Sequence, residues 1–104
     1  MKNDLLKIIN TYGVLPQLKY FYSEVYELSE AIINAENYEP EKGDIFGKIN
    51  CNVNTYVEHI AEEIADVTVM LRQFQYYYGR EDKDINDIMI SKIDRQLNRI
   101  KENK

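Results

Sequence analysis

Only four glycines and two prolines occur in 104 residues, and they fall between apolar-periodic segments rather than inside them. An all-β chain needs turn residues about every 8–12 positions, so that sparseness weighs against strands. The segments carry apolar side chains three and four apart, the period of a helix buried along one side. A first helix is expected over Asp4–Tyr12, with Leu5, Ile8 and Ile9 together and Gly13 as its stop. Pro16 suits the first turn of a second helix, running to about Asn37 on a stripe of Leu18, Phe21, Tyr22, Val25, Leu28 and Ile32. The capping-box pattern Thr55-Tyr-Val-Glu58 predicts a third helix from there to Tyr78, with Tyr56, Ile60, Ile64, Val67, Leu71, Phe74 and Tyr78 inward. A fourth is expected from about Asp84 to the C-terminus, carrying Ile85, Met89, Ile93, Leu97 and Ile100. The expected fold is therefore all-α: one domain over 1–104, two long antiparallel helices with shorter helices at either end.

Amphipathic helices in so short a chain bury only part of their apolar stripes against one another, so completion by a second copy is expected. The connection over 38–54, which holds Pro40, Gly43 and Gly47, exceeds the roughly 12–15 residues of ordinary loops. Its Ile45, Phe46 and Ile49 suit either a turn of helix packed as a lid or an unpacked insertion.

Charge and cysteine content narrow the function. Eighteen acids against thirteen bases leave a net charge of −5, the wrong sign for a groove that grips nucleic acid. No apolar run approaches the ~20 residues that span a bilayer, and Met1-Lys2-Asn3-Asp4 does not resemble a signal peptide. The single cysteine, Cys51, fits a reducing, cytoplasmic setting and reads as a small buried residue.

The acids are the informative residues. On a helical wheel Glu63 lies inside the apolar stripe, flanked by Tyr56, Ile60, Val67 and Met70, with Asp66 along the same edge and His59 one turn before. A carboxylate aimed at a core is costly unless a basic partner, a raised pKa or a cation neutralises it. Glu24 and Glu27 repeat the arrangement on the second helix, beside Gln17, Tyr20 and Ala31. Antiparallel packing of the two helices brings both pairs face to face, and four converging carboxylates call for a divalent ion. All-oxygen ligands favour Mg²⁺, with Mn²⁺ compatible and Zn²⁺ disfavoured. A bundle di-iron centre needs an E-x-x-H motif on two helices, and the chain has one histidine. His59 reads as a helix histidine near the site, and Glu62 as a supporting or solvated acid.

Ser23-Glu24-Val-Tyr-Glu27-Leu28 followed by Glu62-Glu63-Ile-Ala-Asp66-Val67 resembles the E-x-x-E…E-x-x-D signature of the all-α, MazG-like nucleoside triphosphate pyrophosphohydrolases. Gln17-Leu18, the apolar run Val67–Leu71 and Lys92-Ile-Asp-Arg95 extend the resemblance over about Pro16 to Ile100. It implies a MazG-like bundle working as a homodimer or homotetramer. It also implies hydrolysis of (deoxy)nucleoside triphosphates between the α and β phosphates, with Mg²⁺ held by Glu24, Glu27, Glu63 and Asp66. The chain departs from the family in having Ser23 where many members carry a further acid, and in a longer stretch between the motifs.

The chemistry is coherent on its own terms: a metal lowers the pKa of attacking water, and a carboxylate not fully committed to it, Glu24 or Glu27, takes the proton. Lys92, Arg95 and Arg99 form a basic stripe suited to phosphates, although bases near a helix C-terminus are also favoured by its dipole. Gln17 is a further substrate-binding candidate. Tyr20, Tyr26, Tyr76, Tyr77, Tyr78 and Phe46 are candidates for stacking a base, or else core and interface residues. Two other readings fit the same sequence: a phosphoribosyl-ATP pyrophosphohydrolase, and a non-catalytic helical interaction protein.

Overall fold

The computed structural model describes residues 1–37 and 46–103, without the side chains of 46–54. Over these residues the chain is all-helical: α1 (Lys2–Tyr12), α2 (Val14–Glu36), α3 (Phe46–Tyr77) and α4 (Asp82–Glu102). No helix among the described residues is long and apolar enough to cross a membrane.

A single residue separates α1 from α2. Gly13 stands at φ 93° and ψ 154°, a conformation open essentially to glycine alone. Its N–H still donates to the Ile9 carbonyl at 2.8 Å, and its own carbonyl accepts from Gln17 N–H at 3.2 Å, so Gly13 is bonded into both helices at the corner. Alanine here would take up that strained conformation and set its Cβ 3.4 Å from Pro16 Cδ. Gly13→Ala is expected to cost about 1–3 kcal/mol in urea unfolding, by opening the α1–α2 corner.

The third helix departs from expectation at its start. It begins at Phe46, ahead of the capping pattern at Thr55. No glycine or proline lies between Gly47 and Thr55, and helix propagation costs little once a helix is nucleated, so the local capping option is overrun. The residues 38–45, the lid role of Ile45, Phe46 and Ile49, the stacking role of Phe46 and the burial of Cys51 lie outside the described residues and side chains.

Helices α2 and α3 run antiparallel, and α1 packs on both. As α2 advances from Gln17 to Glu24, its partners on α3 recede from Gln73 to Asp66. Phe21 and Phe74 meet edge to face at 5.7 Å between ring centroids, a favoured aromatic geometry. The inner faces are narrower than the apolar residues suggest, and they are rotated. On α2 the seam takes Leu18, Phe21, Glu24, Leu28 and Ala31 while Tyr22, Val25 and Ile32 are exposed; on α3 it takes Ile60, Glu63, Val67, Met70 and Gln73 while Ile64, Leu71 and Tyr78 are exposed. Among the described residues only α1 and α2 cover α3, and they do so on one side of its circumference.

The fourth helix is neither short nor packed. It starts at Asp82, two residues earlier than expected, because Glu81 serves as N-cap and its N–H donates to Asp84 Oδ2 at 3.0 Å. One carboxylate oxygen, Asp82 Oδ1, ties its first turn to α3: it accepts from Tyr76 Oη at 2.7 Å, Gln75 Nε2 at 2.8 Å and Arg72 Nη1 at 3.1 Å. These donors, Tyr76 foremost, hold the Asp82 carboxyl below its usual pKa. Beyond that elbow, α4 packs on none of the other described helices, and none of its residues is buried. The radius of gyration is 18.2 Å, against about 13 Å for a compact domain of this length.

Candidate metal centre

Glu24 and Glu63 occupy seam positions where the spacing of three and four otherwise places apolar side chains, and they are 6% and 7% exposed. The antiparallel register brings them together with Asp66, so that ligand-capable oxygens of Glu24, Glu63 and Asp66 all lie within 4.8 Å of one another. Glu27 stands one turn further along α2, exposed and outside this trio. Its charge still acts on both buried acids.

Among the described residues no Lys or Arg is paired with the trio. The Tyr20 hydroxyl stands as a donor beside the Glu24 carboxylate, and Asp66 faces Glu24 across the seam. The second oxygens, Glu24 Oε2 and Glu63 Oε2, are buried without any hydrogen-bond partner among the described residues. Native proteins rarely leave buried polar atoms so, and a bound ion is one recognised way in which they are satisfied. His59 Nε2 stands 3.9 Å from Glu63 Oε1, and its Nδ1 stands 4.0 Å from Glu62 Oε2, on the exposed flank and outside the trio. Neither distance is a hydrogen bond.

Both buried carboxyls titrate above their ordinary range. For Glu24 desolvation leads, opposed by the Tyr20 hydrogen bond and reinforced by the charges of Asp66 and Glu27. For Glu63 desolvation again leads, followed by the charge of Glu27, with His59 opposing. A raised folded pKa means that the native state binds protons more readily than the unfolded chain. This contribution to stability is complete below the unfolded glutamate value, near 4.3, and fades as pH rises through the folded values. The metal-free protein is therefore expected to melt at a lower temperature at about pH 7.5 than at about pH 5.5, and added Mg²⁺ to close that gap from the high-pH side. Calorimetry with chelator and with Mg²⁺ reads both.

A cavity of about 580 Å³ opens beside the trio, with Glu24 and Asp66 at one end and Ile8, Tyr12, Pro16 and Gln17 at the other. Small-molecule sites typically occupy about 300–1,000 Å³. Gln17, expected from the sequence, lines this cavity, and so does Tyr20. Tyr76 does not: it is buried and bonded to Asp82, while Tyr77 and Tyr78 meet edge to face at the end of α3. Lys92, Arg95 and Arg99 ride on α4 and are not brought to the carboxylates within one chain. Sequence reasoning passed over Gln73, which is 2% exposed and lines the cavity floor. Its signal was its seam position, a polar residue three after Met70 on the face that holds Glu63.

Comparison with family models, with curated proteins and with solved structures found no match.

Proposed function

We propose that the chain is a Mg²⁺-dependent pyrophosphohydrolase of (deoxy)nucleoside triphosphates, working as a homodimer or homotetramer. The observation that carries the reading is the pair of partnerless buried oxygens, Glu24 Oε2 and Glu63 Oε2, beside Asp66 at the mouth of a nucleotide-sized cavity. Neutral carboxyls or a basic partner would also relieve these acids, but no Lys or Arg pairs with them among the described residues. The all-helical fold and the resemblance of the two acidic motifs to MazG-like enzymes support the same reading.

In it, Glu24, Glu63 and Asp66 hold the cation. Bound there, Mg²⁺ supplies charge neutralisation for phosphate oxygens and lowers the pKa of water. Glu27 is the residue best placed as general base, because it stands beside the trio without belonging to it and is open to solvent. Tyr20 orients Glu24 through its hydrogen bond. Lys92, Arg95 and Arg99 reach a triphosphate only from the α4 of another copy.

The test is pyrophosphate release from a panel of nucleoside triphosphates, with the monophosphate identified as co-product. Mg²⁺-dependent release supports the reading. No release across the panel, together with no Mg²⁺-induced rise in melting temperature, overturns it in favour of a non-catalytic interaction protein, to which the uncovered face of α4 would then belong.

A further inference from the structure

The end of the cavity remote from the acids carries a polar element that metal binding does not use. Gln17 Nε2 donates to Gln73 Oε1 at 2.8 Å, joining α2 to α3 across the cavity wall. Gln73 is almost wholly buried, yet its own amide N–H groups find only Met70 Sδ, at 3.7 Å. Thioether sulfur is a weak acceptor, so a buried amide donor is left nearly unspent at the cavity lining. The Gln17–Gln73 bond fixes which way the Gln17 amide faces. With one Nε2 hydrogen committed to Gln73, Gln17 retains one N–H and its Oε1, a donor beside an acceptor on a half-buried side chain. Tyr12, Pro16 and Tyr20 supply flat or apolar surface around it.

A planar heterocycle with an adjacent acceptor and donor on one edge complements that arrangement, and a nucleobase is such a group. We propose that this amide pair reads the nucleobase: Gln17 hydrogen-bonds the base edge, and Gln73 is the positioning residue that sets the orientation of the Gln17 amide. The proposal rests on the pyrophosphohydrolase reading for the placement of the phosphates at the acid end, but base binding itself needs neither metal nor turnover. A site that satisfies a fixed donor–acceptor pair discriminates strongly, because the wrong base leaves buried polar groups unpaired.

The experiment compares kcat/KM across the four common bases for the wild type, Gln17→Leu and Gln73→Met, with the Mg²⁺-induced rise in melting temperature as a check on fold and acid site. The wild type is expected to prefer one base by at least about tenfold, and both variants to flatten that preference to within about threefold while keeping the Mg²⁺ response. Gln17→Leu alone decides the matter if Gln73→Met fails to fold, since Gln17 is only half-buried. A wild type without base preference, or a Gln17→Leu variant that keeps it, overturns the proposal and leaves the pyrophosphohydrolase reading intact. Variants that melt earlier with the preference unchanged also overturn it, for that is the mark of a purely structural stitch. If the wild type hydrolyses no triphosphate, titration calorimetry with unphosphorylated nucleosides separates the two ideas. Base-selective binding lost in Gln17→Leu then supports the amide reader while the hydrolase reading falls, and no nucleoside binding overturns the reader as well.

Discussion

Glu63→Gln is expected to abolish Mg²⁺-dependent pyrophosphate release, by at least about a hundredfold, while the metal-free protein melts no earlier than the wild type. The two halves of this result come from one feature. Glu63 sits at a core position of α3 with one oxygen unpartnered, beside Glu24, Glu27 and Asp66. In a metal-free protein at neutral pH that geometry is a liability, because burial and like charge both oppose ionisation. Glutamine keeps the shape, removes a charge, and offers N–H donors to the neighbouring carboxylates. The Mg²⁺-induced rise in melting temperature is expected to shrink or vanish with the activity, since a trio reduced to two carboxylates holds the ion weakly. A Glu63→Gln variant with wild-type activity removes Glu63 from the site. One that unfolds instead makes the carboxylate a structural requirement. The control is Glu62→Gln, on the neighbouring exposed position, which is expected to change neither activity nor melting temperature by much.

The second large effect concerns α4. Ile93→Asp combined with Leu97→Asp is expected to convert an oligomer into monomers in sedimentation or light scattering at micromolar concentration, and to lower nucleotide hydrolysis together with the assembly. Ile85, Met89, Ile93, Leu97 and Ile100 form a stripe on a helix that packs on none of the other described helices. The chain exposes 8311 Å², where a compact monomer of its mass exposes roughly 6,100 Å². The excess per chain is of the size that permanent homodimers bury. A complementary row exists on α3, where Val57, Ile64, Leu71 and Tyr78 lie exposed at intervals of seven, the repeat of a helix seam awaiting a partner. Basic residues Lys92, Arg95 and Arg99 flank the α4 stripe, so seating this helix against another copy carries cations towards an acidic bundle. A wild type that sediments as a monomer at tens of micromolar refutes the assembly, and with it the supply of phosphate-binding cations from α4.

Particular residues show how far the sequence could be read. Gly13 marked a corner correctly, because a helix stop is a property of one residue's backbone and its immediate neighbours. Glu63 was conspicuous on the helical wheel as a charge in an apolar stripe, and it is buried as that position implies. Thr55 misled: its capping pattern is a local option that the surrounding helix outcompeted. Ile64 and Leu71 misled differently. They keep helical spacing, but among the described residues α3 has neighbours for one side only, and periodicity does not say how wide an arc those neighbours cover. Gln73 was passed over because an uncharged polar residue in a seam gives no alarm until its partner on another helix is known.

The sequence by itself determined the four helices, the corner at Gly13 and the misfit of acids in apolar stripes. Each of these follows from spacing and backbone preference within a few turns of chain. Only the tertiary structure decided which acids meet. It put Glu24, Glu63 and Asp66 within 4.8 Å and left Glu27 outside, it bonded Gln17 to Gln73, and beyond its first turn it kept α4 off the other described helices. The reason is that convergence depends on the register and rotation of one helix against another. These are set by the whole packed seam and by one carboxylate at the α3–α4 elbow, and no single segment encodes them.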